Sequence, residues 1–122
     1  MKILIVDDDP VIIKTLNKQL SRWGYDAKSA QNTQEALKTV SNYPVDLILL
    51  DVYLAETTAI ELIPKLKRIK PSIDIITMTG QSSRQLELKI RSFGILYYME
   101  KPIETANLKS ILEHIDNRLN KH

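Results

Sequence analysis

Apolar residues in this chain recur with two different periods, and the two alternate. Short, nearly continuous apolar runs occupy residues 2–6, 46–50, 74–78 and 96–99, and a half-polar run at 25–30 completes a set of five. Runs of that length predict β-strands. Between them, apolar positions return every three to four residues, as one face of a helix requires. Residues 11–23 put Ile12, Leu16, Leu20 and Trp23 on one stripe, and residues 33–43 do so with Ala36, Val40 and Tyr43. Residues 60–69, 83–93 (through Leu86, Ile90 and Phe93) and 104–119 (through Leu108, Ile111, Leu112, Ile115 and Leu119) repeat the pattern. The chain reads as five βα units.

Strands that are apolar on both faces must be covered on both faces, and strands separated by helices run parallel. The expected fold is therefore α/β: one domain, residues 1–122, with a doubly wound five-stranded parallel sheet and helices on both faces. Local punctuation agrees. Asp9 reads as a helix cap with Pro10 just inside the first helix, and Gly24 and Gly94 stand where helices end in a left-handed residue. Pro64 conflicts, because it removes a backbone donor inside the third helical stretch. That helix is expected to start late or to bend there.

Composition narrows the function classes. The 17 basic and 15 acidic residues leave a charge of +2, too balanced to argue for a nucleic-acid partner. The cluster of Lys65, Lys67, Arg68 and Lys70 reads as a solvated helix face. Absence of cysteine excludes disulfide and zinc–thiolate sites and suits a reducing compartment. The first apolar run is far too short for a signal peptide or a membrane span, so a cytoplasmic protein without membrane contact is expected. Trp23, His114 and His122 read as helix-end or surface residues without chemistry.

In a doubly wound sheet the ligand site lies outside the carboxyl ends of the strands. The first strand delivers Asp7 and Asp8, "LILLD" delivers Asp51, "IITMTG" delivers Thr79, and "YYMEKP" delivers Lys101. Three adjacent carboxylates repel one another unless a cation neutralises them, and an all-oxygen donor set selects Mg²⁺ or Mn²⁺. Such an ion shares its remaining positions with phosphate. Lys101 then serves as a point charge for that phosphate and Thr79 as a hydroxyl donor. Asp51 is the candidate nucleophile, accepting a phosphoryl group as an acyl phosphate.

Taken together, these motifs resemble the receiver domain of two-component response regulators, over essentially the whole chain. "ILIVDDDP" is similar to its acidic pocket, "DLILLD" to its phosphoacceptor strand, Thr79–Gly80 to its hydroxyl switch position, and "EKP" to its lysine–proline pair. The resemblance implies a flavodoxin-like (βα)5 fold with strand order 2-1-3-4-5. It implies that Asp7, Asp8, Asp51 and the backbone carbonyl of Tyr53 hold Mg²⁺, and that a sensor histidine kinase or phosphotransfer protein phosphorylates Asp51. Tyr98 matches the aromatic that changes rotamer with Thr79, and Lys101–Pro102 would be a cis peptide. The implied role is that of a switch and not an enzyme. No effector segment follows the fifth helix, so the chain is expected either to act alone or to be a domain excised from a longer regulator, with an effector protein or domain as the partner.

The chain departs from the family at three places. Ala55 stands where a proline is common, and Thr58 and Ala59 where Asp-Gly is common, which leaves the loop into the third helix without a family guide. Tyr53 is bulky for a position overlooking the phosphoryl group and is expected to hinder attacking water. Gln81, two residues past Thr79, is an amide able to orient water, so the two are expected to tune the phosphorylated lifetime in opposite senses. Leu96 and Tyr97 are apolar where a polar pair is usual. With Leu88, which points away from the buried stripe, they are expected to form a partner surface on the fourth helix, fifth strand and fifth helix, for an effector or a homodimer.

One rival shares these residues. "DDDPV" formally satisfies the Asp-x-Asp-x-Thr/Val signature of haloacid-dehalogenase-type phosphatases, with Asp7 as nucleophile and Asp9 as acid. That family's acidic pair after the lysine is missing, since Pro102, Ile103, Glu104 and Thr105 follow Lys101.

Overall fold

The computed structural model describes residues 1–120; His122 lies outside the described residues. Ten elements alternate along the chain: β1 (Lys2–Val6), α1 (Pro10–Arg22), β2 (Asp26–Ala30), α2 (Thr33–Asn42), β3 (Leu47–Asp51), α3 (Ala59–Ile69), β4 (Asp74–Thr79), α4 (Arg84–Arg91), β5 (Tyr97–Glu100) and α5 (Thr105–Leu119). The strands form one parallel sheet in the order β2-β1-β3-β4-β5. The alternating periods predict the doubly wound parallel sheet, and this strand order is the flavodoxin-like (βα)5 arrangement that the resemblance implies.

Strand alternation divides the core into two layers. Leu4 and Val6 of β1 and Ile48 and Leu50 of β3 face α2, α3 and α4, where they meet Ala36, Val40, Leu62, Ile63, Leu66 and Ile90. Ile3, Ile5, Leu47 and Leu49 face the other way and pack on α1 and α5 through Leu16, Leu20, Leu108, Leu112 and Ile115. All five residues of β3 are buried, as the central position between two layers demands. β2 lies at an edge and buries fully only Ala30, which explains its weak apolar signal.

Several local expectations shift. The third strand ends on Asp51 and the fourth on Thr79, one residue later than the apolar runs suggest, because polar side chains at the sheet's end still pair their backbones. The fifth strand starts at Tyr97, and Leu96 precedes it with its N–H donated to the Ile75 carbonyl. On α1, Leu16 and Leu20 are buried as expected, but Ile13 joins them while Ile12 and Trp23 are half-buried. Tyr43 caps α2 and is exposed, its ring beneath the Lys28 ammonium at 4.1 Å. Asp9 caps α1 by accepting the Val11 N–H, and Gly24 and Gly94 adopt φ of 87° and 79°.

The expectation for Pro64 needs correction in one respect. α3 does not start late; it begins at Ala59 and continues through Pro64. Pro64 is exposed, so the carbonyl four residues earlier that loses its partner lies on the solvent side, where water can satisfy it.

Candidate phosphorylation site

The β1–β3 register pairs Val6 with Leu50, so the next residues on each strand, Asp7 and Asp51, stand side by side. Asp7 continues the row Ile3, Ile5; Asp51 continues the row Leu47, Leu49; both carboxylates therefore lie on the α1–α5 side. This pair straddles the point where the chain leaves β1 toward β2 on one side and returns to β3 on the other, the usual crevice of such sheets. Asp8, exposed, completes the group: oxygens of Asp7, Asp8 and Asp51 all lie within 4.8 Å of one another.

Asp7 is fully buried and Asp51 nearly so. A buried carboxylate needs partners, and Asp7 has two: the Asp9 N–H donates to its Oδ1 at 2.9 Å and Lys101 Nζ to its Oδ2 at 3.1 Å. Lys101 also lies 3.4 Å from Asp51 Oδ2. It arrives from the end of β5, followed by the cis Lys101–Pro102 bond. One ammonium faces three carboxylates, so the site keeps an excess of negative charge. Burial and the Asp7 charge together push Asp51 up to about 6, against the opposing pull of Lys101 and of the Tyr53 backbone N–H. Lys101 is held above the ordinary lysine value: burial alone would lower it, but its hydrogen bond to Asp7 and the charges of Asp51 and Asp7 outweigh that.

An unbalanced set of oxygen donors, two of them buried, fits a hard divalent cation. Thr79, the last residue of β4, is buried, and its hydroxyl accepts the Gln81 N–H at 3.0 Å, leaving its own hydrogen free to donate. Tyr53 is exposed two residues past Asp51, and Gln81 is exposed on the opposite loop. Tyr98, on the neighbouring strand, is half-buried and hydrogen-bonded to Ser82. Leu88 and Tyr97 are exposed, whereas Leu96 is half-buried against the α1–α5 layer. Asp9 is committed to its helix cap through the 2.9 Å bond from the Val11 N–H.

Two contacts near the site have no simple sequence signal. Glu56 reaches from the β3–α3 loop to accept the Thr33 N–H at the start of α2, at 2.8 Å, anchoring the loop that lacks the family's proline and glycine. An apolar groove of about 510 Å³ runs between α1 and the start of α5, past Val11, Trp23, Ile103 and Leu108, and it borders the site at Met78 and Lys101. Trp23, which looked like a plain helix-end residue, forms part of its wall.

The fold, the paired strand-end carboxylates and the lysine define a receiver-type site. The family model of the response regulator receiver domain matches residues 3–113, and the chain belongs to this family. It is 35% identical over 111 residues to the transcriptional regulatory protein ZraR of Escherichia coli strain K12, covering 91% of this chain and 25% of that protein. Among solved structures it is similar to a two-component response regulator from Clostridium difficile (TM-score 0.94, 27% identity, 99% of each chain). A second is a response regulator from Burkholderia pseudomallei with a phosphorylated aspartic acid and a calcium ion (TM-score 0.83, 26% identity, 98% of this chain and 75% of that one). The chain spans about a quarter of the length of the curated relatives it matches. It is a receiver domain of a two-component response regulator; the phosphatase alternative finds no support, and its supposed acid, Asp9, is the cap of α1.

The raised Asp51 value has a consequence for stability. A carboxyl whose pKa is higher in the folded chain favours the fold at low pH, and that contribution is lost as pH rises through about 6. In EDTA at pH 7.5, Asp51→Asn is expected to be more stable than the parent by about 2 kcal/mol, with the gap closing toward pH 4. Urea unfolding at the two pH values checks both the sign and its pH dependence.

Proposed function

We propose that this domain is a phosphorylation switch in which Asp51 is the acceptor. The observation that carries the reading is the placement of Lys101 Nζ 3.1 Å from Asp7 and 3.4 Å from Asp51, with Thr79 at the end of the next strand. Asp7, Asp8, Asp51 and the Tyr53 carbonyl would hold Mg²⁺ or Mn²⁺, which supplies charge neutralisation for the transferring phosphoryl group. Asp51 Oδ attacks phosphorus in line while the bond to the donor nitrogen of a phosphohistidine breaks. Lys101 and Thr79 bind the phosphoryl oxygens. Catalysis of this kind rests on positioning and charge, with little proton chemistry.

Phosphorylation adds about −1.5 to −2 charge to a site already short of cations. Lys101 leaves its carboxylate partners for the phosphoryl group, Thr79 donates its hydroxyl, and Tyr98 turns inward. The output follows as a population shift at α4, β5 and α5, where Leu88 is exposed on α4, Tyr97 opens the edge strand and Leu96 precedes it, half-buried. The donor is a sensor histidine kinase or phosphotransfer protein. The receiver of the signal is an effector domain or protein, in keeping with relatives about four times as long. One phosphoryl group per molecule is taken up, without turnover of a substrate. A cytoplasmic, reducing setting suits a chain without cysteine.

Three outcomes test this reading. Incubation with acetyl phosphate and Mg²⁺ should add one phosphoryl mass to the intact protein, and Asp51→Asn should add none; a labelled Asp51→Asn ends the assignment. Tyr53→Asn should speed loss of the phosphoryl group several-fold and Gln81→Ala should slow it, as followed by mass after donor removal; an unchanged rate refutes the tuning role. Leu88→Ala with Tyr97→Ala should abolish any association that phosphorylation induces, as measured by light scattering; a monomer in both states confines the surface to effector contacts.

A further inference from the structure

Tyr98 packs its ring against the α2–α3–α4 layer, and its hydroxyl shares a 2.8 Å hydrogen bond with Ser82 Oγ. The Arg91 guanidinium of α4 stands 5.8 Å from the ring centre. Ser82 belongs to the short link, residues 80–83, between β4 and α4. Each of three successive residues in that link is committed to a different element. The Gln81 N–H donates to Thr79 Oγ1, Ser82 bonds to Tyr98 of β5, and Ser83 caps α4 by accepting the Leu86 N–H at 3.1 Å.

We infer that Ser82 is a positioning residue for Tyr98: its hydroxyl latches the ring in the resting arrangement and ties that arrangement to the state of Thr79. The role of Asp51 as phosphoacceptor, on which the trigger rests, is the reading given above; the latch itself is a property of the resting protein. The argument is one of connected constraints. Thr79 Oγ1 currently accepts the Gln81 N–H, and a move of that oxygen toward Asp51 stretches the bond. Only the φ and ψ of Gln81 separate the peptide that carries this N–H from the one that carries Ser82, so a shift of the first is passed along the short link to the second. With Ser82 displaced, the tyrosine hydroxyl loses the bond that fixes the ring, which removes a constraint on its rotation. A hydrogen bond made only in the resting state holds the population there, and removing it shifts the balance the other way.

Beryllofluoride with Mg²⁺, a stand-in for the phosphoryl group, provides the probe, titrated into the full chain. Ser82→Ala should tighten apparent beryllofluoride binding about fivefold, the value of one ordinary hydrogen bond. Tyr98→Phe should do the same, the double variant should gain nothing further, and Ser82→Thr, which keeps the hydroxyl, should bind like the parent. Unchanged or weaker binding by Ser82→Ala, or additive effects in the double variant, overturns the inference. A second readout needs no probe: in the resting protein, Ser82→Ala should move the Tyr98 ring resonances in NMR spectra and leave the Leu86 amide in place. Should the parent fail to bind beryllofluoride, the Asp51 reading falls, and the ring resonances decide the latch alone; resonances that stay put refute it.

Discussion

Two carboxylates held side by side at the end of a buried pair of strands set the terms for the rest of this molecule. Asp7 and Asp51 meet because β1 and β3 pair with Val6 opposite Leu50, and because side chains alternate along each strand. A slip of one residue in that register would turn each strand's apolar side chains onto the opposite face, so the two core layers specify the register and hence the site. The ammonium that makes the pair tolerable comes from the end of β5, two strands beyond β3. The whole right half of the sheet, β3-β4-β5, is needed to bring Lys101 to Asp7.

This arrangement opposes stability, and magnitudes show how it is carried. Burial raises Asp51 to about 6, roughly two units above an ordinary aspartate, which corresponds to a cost of about 3 kcal/mol near neutral pH before solvent screening. A fully buried leucine or isoleucine contributes about 1.5–3 kcal/mol. Ile3, Leu4, Ile5, Leu47, Ile48, Leu49 and Leu50 are all of that kind and lie on the two strands that carry the carboxylates. The strands that present the charge are among the most deeply buried in the fold, and two or three of their side chains offset it. The strained charge balance is what a cation can relieve, so cation binding at this site and the stability of the fold draw on the same interaction.

The fold and the site's main residues were legible in the sequence because both obey simple periods. Apolar runs marked the strands, and the polar residues just past four of the five runs marked the site, since a strand's end is where the two layers stop covering it. Less legible were features set by angles and long-range contacts. Ile12 and Ile13 differ by one position on a helix, and which is buried depends on how α1 rolls against the sheet, which no local period specifies. Tyr43 fits the α2 stripe but falls where the helix has already ended. Pro64 reads as a breaker until its exposed position is known. Glu56, Ser82 and the groove beside Trp23 depend on contacts between segments distant in sequence, for which short polar residues in loops carry no signal.

Thr79 is placed where its backbone and side chain serve different ends. Its carbonyl accepts the Lys101 N–H at 2.7 Å and it pairs with Glu100 in the ladder, so the main chain that carries Lys101 is locked to β4. Its hydroxyl, by contrast, is bound only to the Gln81 N–H of a loop. Under the proposed phosphorylation the hydroxyl moves without dislodging the main chain that carries Lys101, and residues 80–83 give the displacement a route outward toward α4 and β5. β3 and β1 offer no such route, being clamped between two layers. The edge strand and the 80–83 link are the least constrained parts of this half of the sheet, which is in keeping with the proposed direction of the response.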